Sequence, residues 1–130
     1  MTTRDGKVLI VEDDRFLRRA CETSLRRRGF DVVTASDGEE ALRLVREEPP
    51  ALLLLDMLMP KVSGIELLRT LRADPATRDV RVLILSNSSR QADIDEATRL
   101  GIYGYLVKAN MSLDELGDRV AALVNPKASS

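Results

Sequence analysis

The sequence predicts an α/β fold, a doubly wound (βα)5 three-layer sandwich around a parallel five-stranded sheet. Short continuous apolar runs alternate with longer segments of helical period, the pattern of strand–helix repeats whose sheet is buried on both faces. Polar or charged residues also stand directly behind four of the five runs, the end at which open parallel sheets gather their binding sites. With 130 residues, 44% of them hydrophobic, the chain suits a single domain that buries about two-thirds of the surface exposed when unfolded. Residues 1–130 are expected to form it, with an ordered core over about 6–124.

The first run, Lys7 to Val11, leads into a helix that carries Phe16, Leu17, Ala20, Cys21 and Leu25 and stops at Gly29. The second, Asp31 to Ala35, leads into one with Ala41, Leu42 and Val45 that stops at Pro49-Pro50. Glycine accepts the left-handed conformation after a helix and proline cannot continue one. Ala51 to Leu55 precedes a helix with Ile65, Leu68 and Leu71; Arg81 to Leu85 precedes one with Ile94, Ala97 and Leu100, closed by Gly101. Gly104 to Val107 precedes the last, with Leu113, Leu116, Val120 and Leu123. Ser63 with Glu66 and Ser112 with Glu115 have capping-box spacing, in which each side chain satisfies an orphan backbone donor. Gly117 inside the fifth helix costs about 1 kcal/mol relative to alanine, and close packing is its one evident justification. Residues 1–5 and 125–130 read as loose ends.

Composition excludes whole classes of chemistry. Twenty basic and 21 acidic side chains give a net charge of -1, so the basic face of a nucleic-acid binder is not expected. The chain has no histidine, which removes histidine-based acid–base catalysis, the serine–histidine–aspartate triad and zinc sites with histidine ligands. The single cysteine, Cys21, cannot form an internal disulfide and fits a helical core position. No apolar run approaches the roughly 20 residues of a membrane span and no signal-peptide stretch opens the chain, so a cytoplasmic protein is expected.

Glu12, Asp13 and Asp14 follow the first run, Asp56 the third, Ser86 and Asn87 the fourth and Lys108 the fifth. Of the common doubly wound layouts, the flavodoxin-like order 2-1-3-4-5 sets strands one and three side by side at the switch point. That order is taken over from known folds of this kind, and it places Asp13 and Asp56 across one crevice. Carboxylates about 4 Å apart repel by about 1–4 kcal/mol per pair, depending on the effective dielectric. Lys108 offsets part of this, and the remainder favours a hard divalent cation such as Mg²⁺. Without metal, one carboxyl is expected to hold its proton above the ordinary range. A carboxylate is also a nucleophile toward activated phosphoryl groups, and Asp56 stands alone behind the most apolar strand. Asp14 is best read as the cap of the first helix.

In this order and spacing, Val-Leu-Ile-Val-Glu-Asp-Asp (8–14), Leu-Leu-Asp-Met-Leu-Met-Pro-Lys-Val-Ser-Gly (54–64), Leu-Ser (85–86) and Gly-Tyr-Leu-Val-Lys (104–108) resemble the response-regulator receiver family of two-component signalling. The resemblance implies that Asp56 is the phosphoacceptor and that Mg²⁺ (or Mn²⁺) is held by Asp13, Asp56 and the backbone carbonyl of Leu58, with Glu12 acting through water. It implies that Ser86 is the switch hydroxyl, Tyr105 the aromatic switch and Lys108 the phosphate-contacting lysine. It further implies phosphoryl transfer from a histidine kinase or phosphotransfer protein, and an output surface made by the fourth helix, fifth strand and fifth helix that binds a downstream protein or serves an output domain outside this sequence. No direct nucleic-acid or membrane binding and no turnover of external substrates are expected.

The sequence departs from the family pattern in three places. Ala109 and Asn110 replace a proline and an aromatic residue after Lys108, Asn87 replaces a small alanine, and Leu58 offers no group to position an attacking water, which implies slow self-dephosphorylation. The arginines of the first helix, Arg15, Arg18, Arg19, Arg26, Arg27 and Arg28, read as a solvated face; by resemblance the same helix docks the phosphodonor. An aspartate-nucleophile phosphatase would need a second aspartate at position 58. A flavin carrier of this fold class would be repelled by the acids behind the first strand, and the intact acid, hydroxyl and lysine set speaks against a phosphorylation-independent interaction module.

Overall fold

In the computed structural model, which describes residues 4–59, 62–87 and 90–124, strands β1 (Arg4–Val11), β2 (Asp31–Ala35), β3 (Pro50–Leu55), β4 (Val82–Ser86) and β5 (Gly104–Val107) alternate with helices. These are α1 (Arg15–Arg27), α2 (Gly38–Glu47), α3 (Gly64–Ala73), α4 (Gln91–Leu100) and α5 (Leu113–Leu123), with one 3-10 turn at Lys108–Asn110. The strands form one parallel sheet in the order β2-β1-β3-β4-β5, as expected. No helix among the described residues is long and apolar enough to cross a membrane.

Side chains of successive strand residues point to opposite faces, and the core divides accordingly. Leu9, Val11, Leu53, Leu55, Val82 and Ile84 pack with the buried residues of α2, α3 and α4. Val8, Ile10, Leu52, Leu54, Leu83 and Leu85 pack with Cys21 and Leu25 of α1 and Leu116 and Val120 of α5. Continuous apolar strands are what a sheet covered on both faces requires.

The helix boundaries follow from local chemistry. The Asp14 carboxylate accepts from the N–H groups of Phe16 and Leu17 and caps α1. Ser63 and Ser112 form full capping boxes with Glu66 and Glu115. Gly29 and Gly101, which follow α1 and α4, have φ of 96° and 93°, a conformation that strains residues with a Cβ.

Four expectations change. Arg4 and Asp5 are not loose: they begin β1, with Arg4 paired to Pro50 across a register shift, because backbone pairing needs no apolar side chain. Pro50 opens β3 rather than merely ending α2; the first residue of a strand is where a missing N–H is tolerated. Phe16 is 87% exposed, because the stripe that α1 buries runs through Cys21 and Leu25 with Leu17 packed beside them, and Phe16 lies off it. Leu113, at the start of α5, is also exposed. The expected loose end at 125–130 lies outside the described residues.

Gly117 makes room for an arginine. A Cβ there would lie 2.2–2.9 Å from the Arg28 side chain, which crosses from the end of α1 to donate to Asp118 Oδ1 at 3.0 Å and to the Asp114 carbonyl at 3.1 Å.

Candidate functional site

Because β1 and β3 are neighbours, paired Val11 to Leu55, the residues that leave their carboxyl ends meet in one hollow. The Asp56 N–H donates to the Val11 carbonyl at 3.0 Å, extending the ladder by one step and fixing where its side chain starts. Asp56 is buried, with 4% of its surface exposed. The Leu58 N–H donates to its Oδ1 at 3.2 Å, and Lys108 Nζ lies 3.3 Å from its Oδ2. One carboxylate oxygen is thus held by the backbone and the other by an ammonium.

Glu12 is equally buried and tied on every side. Its N–H donates to the Ala35 carbonyl, its Oε1 lies 2.7 Å from Lys108 Nζ, its Oε2 accepts from the Asp14 N–H at 3.0 Å, and its carbonyl accepts from Arg18 at 2.8 Å. Burial, reinforced by the nearby Asp56 charge, pushes the Glu12 carboxyl up to about 7 against the opposing hydrogen bonds from Lys108 and Asp14. This is the carboxyl expected to hold its proton. For Lys108, burial alone would lower the ammonium, but the Glu12 hydrogen bond and the Asp56 charge outweigh it and raise it above the ordinary value.

Asp13 is exposed, and one oxygen each from Glu12, Asp13 and Asp56 lies within 4.8 Å of the others. Three carboxylate oxygens so close together, with Asp13 open to solvent, fit a hard divalent cation and could hold one.

Ser86, the last residue of β4, is fully buried, with Asn87 exposed beyond it. Tyr105 pairs with Ile84 and packs, half-buried, on the side of α3 and α4. Lys108 starts the 3-10 turn through Ala109 and Asn110. No peptide bond among the described residues is cis. Ser88, Ser89, Pro60 and Lys61 lie outside the described residues. Leu58 turns its side chain outward, 60% exposed at the rim.

Residues 8–121 match the response regulator receiver domain. The chain belongs to that family. It is 41% identical over 118 residues to the probable transcriptional regulator ycf27 of Guillardia theta, covering 91% of this chain and 45% of that protein. Among solved structures, the receiver domain of the Francisella response regulator 1452 superposes with a TM-score of 0.83 at 32% identity, covering 97% of this chain and all of that one. The chemotaxis protein CheY4 of Vibrio cholerae gives 0.84 at 26% identity over 93% of this chain. The chain spans about half the length of the curated relatives it matches. It is therefore a receiver domain of two-component signalling, with the flavodoxin-like architecture of that family.

In this receiver, two contributors to the site escape a linear reading. Gly64, at the start of α3, lies so close to the end of β3 that a Cβ would fall 2.3 Å from the Asp56 carbonyl oxygen and 2.6 Å from Met57 Cα; the Gly64 N–H also donates to the Met57 carbonyl at 3.1 Å. The available signal was a glycine directly after the Ser63 cap, where helix propensity disfavours it. Arg18 is the second. Along the chain it belongs to a solvated face, yet it is half-buried and bonded to Glu12, while Arg15 and Arg19 are exposed. Arg28 also leaves that face, toward α5, whereas Arg26 stays exposed while bonding to the Val32 carbonyl and Glu22.

Proposed function

We propose that residues 1–130 act as one receiver domain in which Asp56 accepts a phosphoryl group from a histidine kinase or histidine phosphotransfer protein. The observation that carries this is the pair of constraints on Asp56: a buried carboxylate with one oxygen on the Leu58 N–H and the other near Lys108, beside the oxygens of Glu12 and Asp13. Mg²⁺ (or Mn²⁺) would be held by Asp13, Asp56 and the Leu58 carbonyl, with Glu12 through water. When bound, it supplies a hard Lewis acid that shares charge with the phosphoryl oxygens.

An Asp56 oxygen attacks phosphorus, forming the acyl-phosphate bond as the P–N bond to the donor imidazole breaks; the electron pair stays on that nitrogen, which takes its proton from solvent. Lys108 is placed to meet the negative charge on the transferring oxygens. It would have to exchange its contact with Asp56 for one with the phosphoryl group while keeping Glu12 as its anchor. Ser86 and Tyr105 would then relay occupancy to the face formed by α4, β5 and α5, which binds a downstream protein or serves an output domain. The domain acts on its own aspartate rather than turning over external substrates, in the cytoplasm.

Incubation with MgCl₂ and acetyl phosphate should add the mass of one phosphoryl group, and Asp56→Asn should abolish the addition. A label retained by Asp56→Asn, or none in the wild type, refutes the reading. Docking of the phosphodonor on α1 is best tested at Arg19. Arg19→Glu should slow transfer from a kinase while leaving acetyl phosphate labelling intact, and equal loss in both counts against it.

A further inference from the structure

Within the site just proposed, the Glu12–Asp14 loop is gripped from α1 at two points. At one, Asp14 caps the helix through the Phe16 and Leu17 N–H groups and its carbonyl accepts from the Arg18 N–H at 2.9 Å. At the other, the Arg18 guanidinium reaches back past the start of the helix to the Glu12 carbonyl, six residues earlier, at 2.8 Å. That carbonyl belongs to the peptide joining Glu12 to Asp13, so the bond orients the plane from which Asp13 departs. Asp13 itself is exposed, without the enclosure that holds Glu12 and Asp56, and its direction rests on the backbone beneath it.

We infer that Arg18 is a positioning residue: it fixes the Glu12–Asp13 peptide so that the Asp13 carboxylate is preorganised to face a divalent cation alongside Asp56. The inference rests on the metal-binding reading above and adds to it a residue that touches neither the cation nor the phosphoryl group. Electrostatics alone points the other way. Arg18 carries a positive charge beside an acidic hollow, so removing it should tighten cation binding by Coulomb attraction. Loss of orientation should weaken it, since residues that orient metal ligands typically cost 10–100-fold in affinity when removed. The sign of the change separates the two.

The test is titration of the full chain with MgCl₂, following the backbone amide resonances of Asp13, Asp56 and Lys108, in wild type and in Arg18→Met, Arg18→Lys and Arg19→Met. Arg18→Met should bind Mg²⁺ roughly tenfold more weakly, Arg18→Lys should recover part of the loss, and Arg19→Met, which changes charge equally on the exposed face, should not weaken binding. With acetyl phosphate, Arg18→Met should raise the Mg²⁺ concentration for half-maximal labelling while keeping the rate at saturating Mg²⁺. A general loosening of the fold would also lower the rate at saturating Mg²⁺. Unchanged or tighter Mg²⁺ binding in Arg18→Met overturns the inference, as does weakening of the same size in Arg19→Met. Failure of the wild type to bind Mg²⁺ at all overturns the metal-binding reading instead.

Discussion

Replacing Lys108 by methionine removes the ammonium that touches both buried carboxylates, 2.7 Å from Glu12 and 3.3 Å from Asp56. At an effective dielectric of about 20, those separations correspond to about 6 and about 5 kcal/mol of gross attraction. Most of this is offset by desolvation, and breaking such a pair costs about 3–5 kcal/mol net. The dependence on pH is sharper than the total. The folded Glu12 carboxyl titrates at about 7 against 4.5 ordinarily, so in that window the folded chain binds more protons than the unfolded one. The Glu12 contribution to the stability of the metal-free wild type therefore falls as pH rises from 4.5 through 7 and then levels off. Lys108, raised above 10.5, contributes stability that is fully present below 10.5 and lost only as pH climbs through its higher folded value.

In Lys108→Met, Glu12 loses the hydrogen bond that restrains its shift, its titration moves above 7, and the decline continues past the wild-type plateau. The slope is at most about 1.4 kcal/mol per pH unit, so the gap between variant and wild type should widen between about pH 7 and pH 8.5 by no more than about 2 kcal/mol. The chain has no tryptophan, so urea denaturation in EDTA followed by circular dichroism is the appropriate assay. Adding Glu12→Gln to Lys108→Met should abolish the widening. Wild-type and Lys108→Met stabilities that run parallel across this range would refute the linkage between Glu12 and Lys108.

Gly64→Ala should destabilise by about 1–3 kcal/mol, measurable by urea denaturation, because its Cβ meets backbone that cannot swing aside; it should also impair labelling of Asp56. Gly117→Ala gains about 1 kcal/mol of helix propensity but must displace Arg28, so a double-mutant cycle should show it stabilising in Arg28→Ala and neutral or worse with Arg28 present. Cys21 is buried and its thiol is pushed up to about 11, first by burial and then by the Glu12 charge; it should react with a disulfide reagent at neutral pH at the rate of unfolding, and rapid reaction in the native protein would contradict its core placement. The phosphorylated form should be long-lived, since Leu58 presents only hydrocarbon at the rim, and decay of the label as fast as in fast-cycling chemotaxis receivers would count against that.

The kinds and order of the elements, the caps of α1, α3 and α5, and the end of the sheet at which reactive groups collect are all legible in the linear sequence. These depend on interactions within a few residues: apolar period, a serine three residues before a glutamate, an aspartate before a helix. Residues 13 and 56 could be assigned to one hollow only by adopting a known strand order, which the β2-β1-β3-β4-β5 sheet bears out. The folded arrangement, by contrast, sorts side chains of like appearance into different roles. The six arginines between positions 15 and 28 look equivalent along the chain, yet Arg18 holds the Glu12 carbonyl, Arg28 fills the notch at Gly117 and Arg19 stays in solvent. Phe16 reads as core and is exposed, while Glu12 reads as one of three acids and is the one whose carboxyl burial pushes up to about 7. Long flexible side chains reach partners up to 90 residues away, and burial by distant elements sets the cost of a charge. Neither quantity is written in local sequence.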